Sequence, residues 1–297
     1  MYLLKEEITR LSGSISTRSG GILMSIFKPK EQGVSPERAL WLRNKKRTDS
    51  LVLITKIGIL AVFLILWEVC ANTGIIDSFI MSSPSRIWAV IADLYTSGEL
   101  FVHIGVMTYE AVMGFLWGTI LGTVIAALLW LSPFLCRVLE PYLVVLGSLP
   151  KIALGPIFIV WIGAGTKAII VITITISLIV TIMEVLNGFM STDEDKIKLV
   201  RTFGGNKYHI FTKVVLPSNF RTIISSLKIS VSMSWVGVIV GEFLVSRAGL
   251  GYLIVYGSQV FQLDLVMANV FILGLLATFM YLFIVWIESI LFKNQNE

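Results

Sequence analysis

The chain has 297 residues, of which 56% are hydrophobic and only 14% are charged, and its formal net charge is +5 at pH 7. Long apolar runs in a chain of this composition exclude an ordinary soluble domain. They indicate an all-α polytopic membrane protein.

Residues 1–50 form a basic tail that we expect to be partly disordered. They contain ten Lys or Arg and five Asp or Glu, so they account for the whole net charge. A basic segment beside a membrane span usually fixes orientation or contacts anionic membrane lipid. Nucleic acid is the alternative partner for such a tail, and we do not expect it here.

Six stretches of about 20 mainly apolar residues are long enough to cross a bilayer. The predicted transmembrane helices are 51–71, 111–131, 141–162, 168–187, 223–245 and 266–292. The fourth is rich in β-branched residues, but a single segment in lipid must satisfy its own backbone hydrogen bonds, which favours a helix. Residues 51–292 therefore form one transmembrane domain, and 293–297 form a short C-terminus.

The distribution of Lys and Arg predicts the orientation of the spans. The basic tail and the loop between the fourth and fifth spans carry most of these residues, and Lys293 follows the last span. Positive residues are retained preferentially on the cytoplasmic side. Both termini and the 192–217 loop are therefore expected in the cytoplasm.

The external loop, residues 72–103, carries a further helical pattern. Ile87, Val90, Ile91 and Leu94 recur at helical spacing. This pattern predicts a short amphipathic helix on the outer surface.

Small residues recur at every fourth position of the second span, as Gly114, Gly118, Gly122 and Ala126. Such a stripe lets another helix approach closely. It indicates either tight packing within one subunit or a contact between subunits.

The third span contains residues that indicate a path for solute. Pro150 and Pro156 each remove a backbone donor, and Lys151 lies between them, shortly after Ser148. An ionisable residue within a span suggests a function. Lys151 either offsets the desolvation of an anionic solute, bonds to a carbonyl that a proline leaves free, or reaches the inner interface.

The charged 192–217 loop predicts two short helices between the fourth and fifth spans. Ser191 or Thr192 is expected to cap the first helix, with Glu194 or Asp195 completing a capping box. A DNA-binding helix–turn–helix has the same outline, but a module tethered at both ends to membrane spans can hardly enter a major groove.

Glycine and proline mark the ends of these two helices. Gly204 and Gly205 end the first, because glycine adopts the left-handed conformation without penalty. The second covers about 206–215 and is expected to stop at Leu216 and Pro217. The first helix has an apolar face formed by Ile197, Leu199, Val200 and Phe203.

The fifth span is rich in hydroxyl groups, and Ser226, Ser230 and Ser234 share one of its faces. That face either lines a translocation path or packs tightly and bonds across helices. Glu242, near the outer end of the span, is a candidate contact for a gate or a solute-delivery protein. A plain interfacial carboxylate is the alternative for Glu242.

The sequence KLVRTFGGNKYHIFTKVVLP resembles the signature loop of binding-protein-dependent transport permeases, the membrane subunits of bacterial ABC importers. That pattern is Glu-Ala-Ala, three residues, Gly, nine residues, a branched apolar residue, one residue and Leu-Pro. The matching positions are Lys198, Leu199, Val200, Gly204, Val214, Leu216 and Pro217. GSLPKIALGPIFIVWIGAG and VGEFLVSRAGLGYLI look like the branch serving sulfonate, taurine, nitrate and thiamine-precursor importers. Lys198 departs from the acidic residue usual in the loop, and Glu110 stands where relatives often carry arginine.

The resemblance implies a type I importer fold in which the 192–217 loop is a coupling helix seated in a groove of a separate ATPase. The coupling residues it implies are Lys198, Leu199, Val200, Arg201, Phe203, Gly204, Gly205, Leu216 and Pro217. The candidate path residues are Ser148, Lys151, Ser226, Ser230, Ser234 and Glu242. Lys207 would lie with Arg201 at the rim of the docking surface.

The chain itself is expected to be a transport subunit and not an enzyme. It has no G-x-x-x-x-G-K-[ST] phosphate loop, so ATP and Mg²⁺ would bind to the partner subunit and no cofactor to this chain. Its two histidines, His103 and His209, lie on opposite predicted sides, which disfavours a catalytic triad or a His-based metal site.

The resemblance also implies the assembly. Two ATPase subunits, a second permease copy in a homodimer and an extracytoplasmic solute-binding protein would complete an importer of a small anionic solute in the bacterial inner membrane. A secondary transporter driven by an ion gradient is the alternative. Such transporters usually show inverted repeats and buried carboxylates near the midplane, whereas the acidic residues here mostly fall near span ends.

Overall fold

The computed structural model describes residues 36–292, which are helical almost throughout and contain no strand. The helices are α1 (Pro36–Asn72), α2 (Ser78–Met81), α3 (Pro84–Thr96), α4 (Glu99–Leu131), α5 (Pro133–Ser148), α6 (Gly155–Ile162), α7 (Thr166–Met190), α8 (Glu194–Thr202), α9 (Lys207–Ile210), α10 (Leu216–Ser218), α11 (Phe220–Val245), α12 (Leu250–Gln259) and α13 (Leu263–Leu291). The described chain divides into two compact units, one of residues 36–78 with 285–292 and one of residues 79–284.

α1 extends the first predicted span into the basic tail. The sequence predicts a partly disordered segment up to residue 50, whereas the helix begins at Pro36. Residues 36–50 contain no glycine and are rich in Leu, Arg and Lys, which favour helix. Within this segment the Lys45 ammonium lies 4.9 Å from the ring centroid of Trp41. The rest of the predicted tail, residues 1–35, and the C-terminus at 293–297 lie outside the described residues.

The long apolar helices agree with a multi-pass membrane protein. Among the described residues, five helices are long and apolar enough to cross a bilayer, namely residues 40–72 of α1 together with α4, α7, α11 and α13. α4 begins at Glu99, well before the predicted start at 111. Its 33 residues make about 50 Å of helix, so α4 is longer than the ~30 Å hydrocarbon core.

The predicted third span, 141–162, is not one straight helix. α5 begins earlier, at Pro133, and the segment 151–162 turns away from it by 91°. Pro150 explains the break, because proline disfavours the helical conformation in the preceding residue and has no amide to donate. Leu149 is accordingly extended, with φ −64° and ψ 140°. If this bent pair crosses the membrane as one unit, it provides the sixth span.

Three helices of the second unit, α4, α7 and α11, pack against one another and form its core. The glycine stripe of α4 faces hydroxyl-bearing residues of α7. A Cβ added to Gly118 would collide with Ser177, and one added to Gly122 would lie 2.8 Å from the Cβ of Thr181. Of the two readings of the stripe, packing within one subunit is the one that the structure shows.

α11 approaches another part of α7 in a similar way. A Cβ added to Gly237 would lie 2.7 Å from the Cα of Thr173, and a Cβ added to Gly241 would lie 2.8 Å from the Cγ2 of Ile169. α7 carries the β-branched run that the membrane argument assigns to a helix, and this assignment is confirmed.

Two shorter helices flank this core. α3 is the predicted amphipathic helix: the Ser83 hydroxyl accepts the Arg86 amide at its start, and Ile87 and Leu94 are buried. α12 follows a turn at Gly249 and packs against α11. α12 is not expected from hydropathy, because its 10 residues are too few to cross a membrane.

Candidate functional site

The first helix of the 192–217 loop, α8, begins at a different cap from the one predicted. The side chain of Asp193 accepts the amide of Asp195 at 2.9 Å, so Asp193 is the N-cap and the expectation of Ser191 or Thr192 is wrong. Thr192 instead accepts a hydrogen bond from the amide side chain of Asn219 at 2.6 Å. This buried bond joins the two ends of the loop.

The helix ends at the predicted glycines with two nested backbone hydrogen bonds. The amide of Gly205 donates to the carbonyl of Val200, and that of Gly204 to the carbonyl of Arg201, both at 3.0 Å. This is the Schellman arrangement, which requires a left-handed residue just after the helix. Gly204 supplies that residue with a φ of +77°. The prediction of a glycine-based turn is confirmed.

The second part of the loop does not stop at Leu216 and Pro217 as predicted. α9 continues through one wide turn, Phe211–Val215, into α10, which contains Pro217. Proline has no amide with which to close an ordinary helical turn, and widened turns of this kind accommodate such an interruption. Pro217 therefore marks a local irregularity and not the end of the helical path.

The loop is anchored to the ends of the spans by a buried apolar cluster. Phe211 packs edge-on against Phe189 of α7, with ring centroids 5.4 Å apart, and lies 5.5 Å from the ring of Trp130 in α4. Ile210 and Val215 belong to the same cluster, as do residues of α4 and α7. The loop is therefore packed directly against both helices.

The apolar face predicted on α8 divides into two parts. Ile197 and Val200 are half-buried and pack against the buried cluster of the same chain, and the docking role of Val200 stays a prediction. Leu199 and Phe203 point outward, with 57% and 83% of their surface exposed. Because these two neighbouring apolar side chains are exposed on a charged helix that is not a membrane span, this surface is suited to docking.

Charged side chains surround this apolar surface. Lys198 lies 3.5 Å from Glu194 and 3.2 Å from Asp195, both on its own helix. Arg201 and Lys207 are exposed near the turn. The positive charge of Lys198 is thus partly balanced within α8, although such exposed pairs contribute little to stability.

The three serines predicted on one face of α11 are enclosed between helices. Ser226, Ser230 and Ser234 are all buried, and the Ser230 hydroxyl lies 2.7 Å from that of Thr181 in α7. Ser234 donates to the carbonyl of Ser230 at 2.8 Å. Of the two interpretations offered by the sequence, packing and bonding across helices agrees with this geometry.

Ser148 and Lys151 lie at the bend after α5. The Lys151 ammonium donates to the carbonyl of Gly147 at 2.9 Å, and the Ser148 hydroxyl to that of Val144 at 2.9 Å. Carbonyls at the end of a helix lack amide partners, so the bond to Gly147 stabilises the break. Ser148 is exposed and Lys151 is half-buried, so both remain accessible beside the bend.

Glu242 lies in a buried polar junction, and not at an open surface. Its carboxyl group accepts the amide of Gly251 at 2.6 Å, and the amide of the nearby Gly249 donates to Nδ1 of His103 at 2.9 Å. Glu110 of α4 is a neighbour of Glu242. The sequence analysis singles out Glu110 and Glu242 separately but does not bring them together. Both are carboxyl groups in apolar spans, which is the signal that they share.

The family model described as "Binding-protein-dependent transport system inner membrane component" matches residues 118–294. The aliphatic sulfonates transport permease protein SsuC of Bacillus subtilis, a putative assignment by its name, is 28% identical over 80% of this chain and 86% of its own length. The formylaminopyrimidine transport permease protein ThiX of Halalkalibacterium halodurans is 28% identical over 79% of this chain and 93% of its own.

A solved structure has the same fold. A chain of the MetNI methionine ABC transporter, in an inward-facing conformation, aligns with a TM-score of 0.56. The alignment covers 70% of this chain and 98% of that chain at 17% sequence identity.

Proposed function

This chain belongs to the family of binding-protein-dependent transport system inner membrane components, and on that premise we propose that it is the membrane-spanning subunit of an ABC importer that couples ATP hydrolysis to solute uptake through its 192–217 loop. ATP and Mg²⁺ bind to two separate ATPase subunits, and this chain binds no cofactor. An extracytoplasmic solute-binding protein delivers the solute.

The loop serves as the contact with an ATPase subunit. Leu199 and Phe203 fill a pocket on that subunit, and Arg201, Lys207 and Lys198 lie at the polar rim. The turn at Gly204 and Gly205 sets the angle at which α8 is presented. This role requires the loop and both termini to lie in the cytoplasm, in agreement with the distribution of Lys and Arg.

The solute is small and anionic, for example a sulfonate, taurine or nitrate. A relative named for aliphatic sulfonates supports this class. A pyrimidine precursor is the alternative, supported by the relative named for formylaminopyrimidine. Of the candidate path residues we retain Ser148 and Lys151, because they are accessible beside the bend. A second copy of the chain completes the path in a homodimer.

The observation that carries the coupling role is the exposed pair Leu199 and Phe203 on a loop whose inner side is fixed to α4 and α7. The test is Phe203→Ser in the full chain, expressed with its ATPase subunit. Loss of an aromatic side chain central to an interface costs about 2 kcal/mol or more. We therefore expect the ATPase to co-purify at least tenfold less well and uptake to fall, with the permease still inserted at its normal level.

The matched control is Lys213→Ser, an exposed residue of the same loop outside the apolar pair. This variant should retain both co-purification and uptake. If Phe203→Ser co-purifies with the ATPase and transports as well as Lys213→Ser, the coupling role of the loop is wrong.

A further inference from the structure

Two buried carboxyl groups meet where α4, α11 and α12 come together. Glu110 is fully buried and Glu242 is 2% exposed. The two groups are neighbours on α4 and α11, which pack against each other. This is an unusual pairing, because two ionised carboxylates placed so close together would repel each other, and both would lose their hydration.

The polar groups around the pair satisfy only part of it. The Gly251 amide donates to Oε2 of Glu242, and the Tyr252 amide also lies near that carboxyl. Oε1 of Glu242 and both oxygens of Glu110 have no hydrogen-bond partner among the described residues. The Thr166 hydroxyl at the start of α7 lies near Glu110 but is not in bonding geometry. Three acceptor atoms are therefore buried without a donor.

No positive side chain compensates this pair. Within residues 40–292, no Lys or Arg lies in ion-pair distance of either carboxyl group. His103 lies at the same junction, and its Nδ1 already accepts the Gly249 amide. What the site lacks is a donor small enough to lie between two carboxyl groups.

We propose that Glu110 and Glu242 form a proton-binding site in which the pair carries one proton. The protonated carboxyl donates to the ionised one, so a single O–H group satisfies an acceptor on the facing side chain and removes one of the two charges. The remaining charge is held by the amide of Gly251. The shared proton thereby fastens the start of α12 to α4 and α11.

A metal ion would fit this junction less well than a proton. Divalent cations require about six oxygens around them, whereas added Cβ atoms at Gly249 or Gly251 would collide with the Glu242 side chain, which shows how closely the backbone encloses it. The described residues also contain no group of three or more His, Cys, Asp or Glu placed to hold a metal. The inference does not depend on the proposed function, since it requires only the packing of these helices.

Infrared spectroscopy of the full-length chain in lipid nanodiscs tests the proposal directly. At neutral pH the wild type should show a carboxylic acid C=O band that shifts in D₂O. The band should be absent from Glu110→Gln and from Glu242→Gln. It should be unchanged in Glu99→Gln, which alters an exposed carboxyl at the start of the same helix. A wild type without this band, or a band that survives in both pair variants, would overturn the proposal.

Thermal unfolding provides a second measurement. The folded chain would bind one proton more than the unfolded chain near neutral pH, so its stability should fall as the pH rises and the pair gives up its proton. Glu110→Gln should lose this dependence relative to the wild type, because its amide donates the same hydrogen bond at every pH. A wild type with the same pH profile as Glu110→Gln, or a saturable stabilisation of the wild type by Na⁺ at fixed pH, would contradict the shared proton.

Discussion

Gly204 and Gly205 occupy neighbouring positions in one turn, but they are required for different reasons. Gly204 has a φ of +77° and open space beside it, so only its backbone conformation excludes other residues. An added Cβ at Gly205 would lie 2.8 Å from the carbonyl oxygen of Val200, so at that position the limit is space. The two positions can therefore be tested by different substitutions.

At Gly204 we predict that Gly204→Val separates ATP hydrolysis from uptake. A β-branched residue in the left-handed conformation costs at least about 1–2 kcal/mol, so the turn would open and α8 would change its angle. Solute uptake per ATP hydrolysed, measured in proteoliposomes with the ATPase and binding protein, should fall several-fold. Gly204→Asn is the control, because asparagine tolerates this conformation, and it should keep most of the coupling. Equal coupling in both variants would show that the turn is not needed.

Sequence reasoning locates this turn but not the orientation of every residue around it. Gly204 identifies the turn because no other residue type accepts its left-handed conformation so readily. The cap is less determined, since Ser191, Thr192 and Asp193 are all capping types. Asp193 is the cap in the structure because Thr192 bonds to Asn219, a contact across 27 positions of the chain. Val200 is similarly turned inward by a core that no local pattern reveals.

At the scale of helices, the contact between α4 and α7 depends on glycines that face hydroxyl-bearing side chains. The spacing of Gly114, Gly118 and Gly122 predicts a close approach but not the partner helix. The choice of α7 follows from complementary small side chains on it, such as Ser177. Close backbone approach of this kind is a main source of helix association in lipid.

We therefore predict that Gly118→Ala destabilises the bundle and that Ser177→Gly restores it. The added methyl group would collide with the Ser177 side chain, and overpacking of this kind costs about 1–3 kcal/mol. The melting temperature of the purified chain should fall by several degrees in Gly118→Ala and recover in the double variant. Ser177→Gly alone serves as the control for the lost side chain. A double variant no more stable than Gly118→Ala would contradict this contact.

Proline positions predict irregular helices, but not the shape that each irregularity takes. Pro150 breaks the third span with a bend of 91°, whereas Pro141 lies inside α5 and Pro217 is accommodated by a widened turn. The difference arises from the surroundings. Leu149 is extended next to Pro150, while the turn before Pro217 is held by the buried side chains of Phe211 and Val215.

At the scale of the whole molecule, hydropathy is sufficient to predict a multi-pass helical protein, because each span satisfies its backbone hydrogen bonds alone. It does not predict which helices form the core. α4, α7 and α11 do so through small and hydroxyl-bearing residues that a hydropathy average does not distinguish. The meeting of Glu110 with Glu242 is hidden for the same reason, since they lie on different spans.

The 192–217 loop has two sides, and this arrangement predicts that docking and transmission can be separated. The outer side carries Leu199 and Phe203, which are exposed. The inner side carries Phe211, whose ring contacts Phe189 and Trp130 at the ends of α7 and α4. A rigid connection between a docking surface and two core helices is what the transfer of a movement requires.

We predict that Phe211→Leu retains the ATPase subunit but transports poorly. Leucine keeps the site apolar and avoids the large cavity of an alanine, but it loses the ring contacts, so the loop can move without moving α4 and α7. Co-purification with the ATPase should stay near the wild-type level while uptake per ATP hydrolysed falls several-fold. Phe203→Ser should instead lose co-purification with the ATPase, because its defect lies in docking. If Phe211→Leu and Phe203→Ser lose co-purification to the same extent, the two sides of the loop do not act separately.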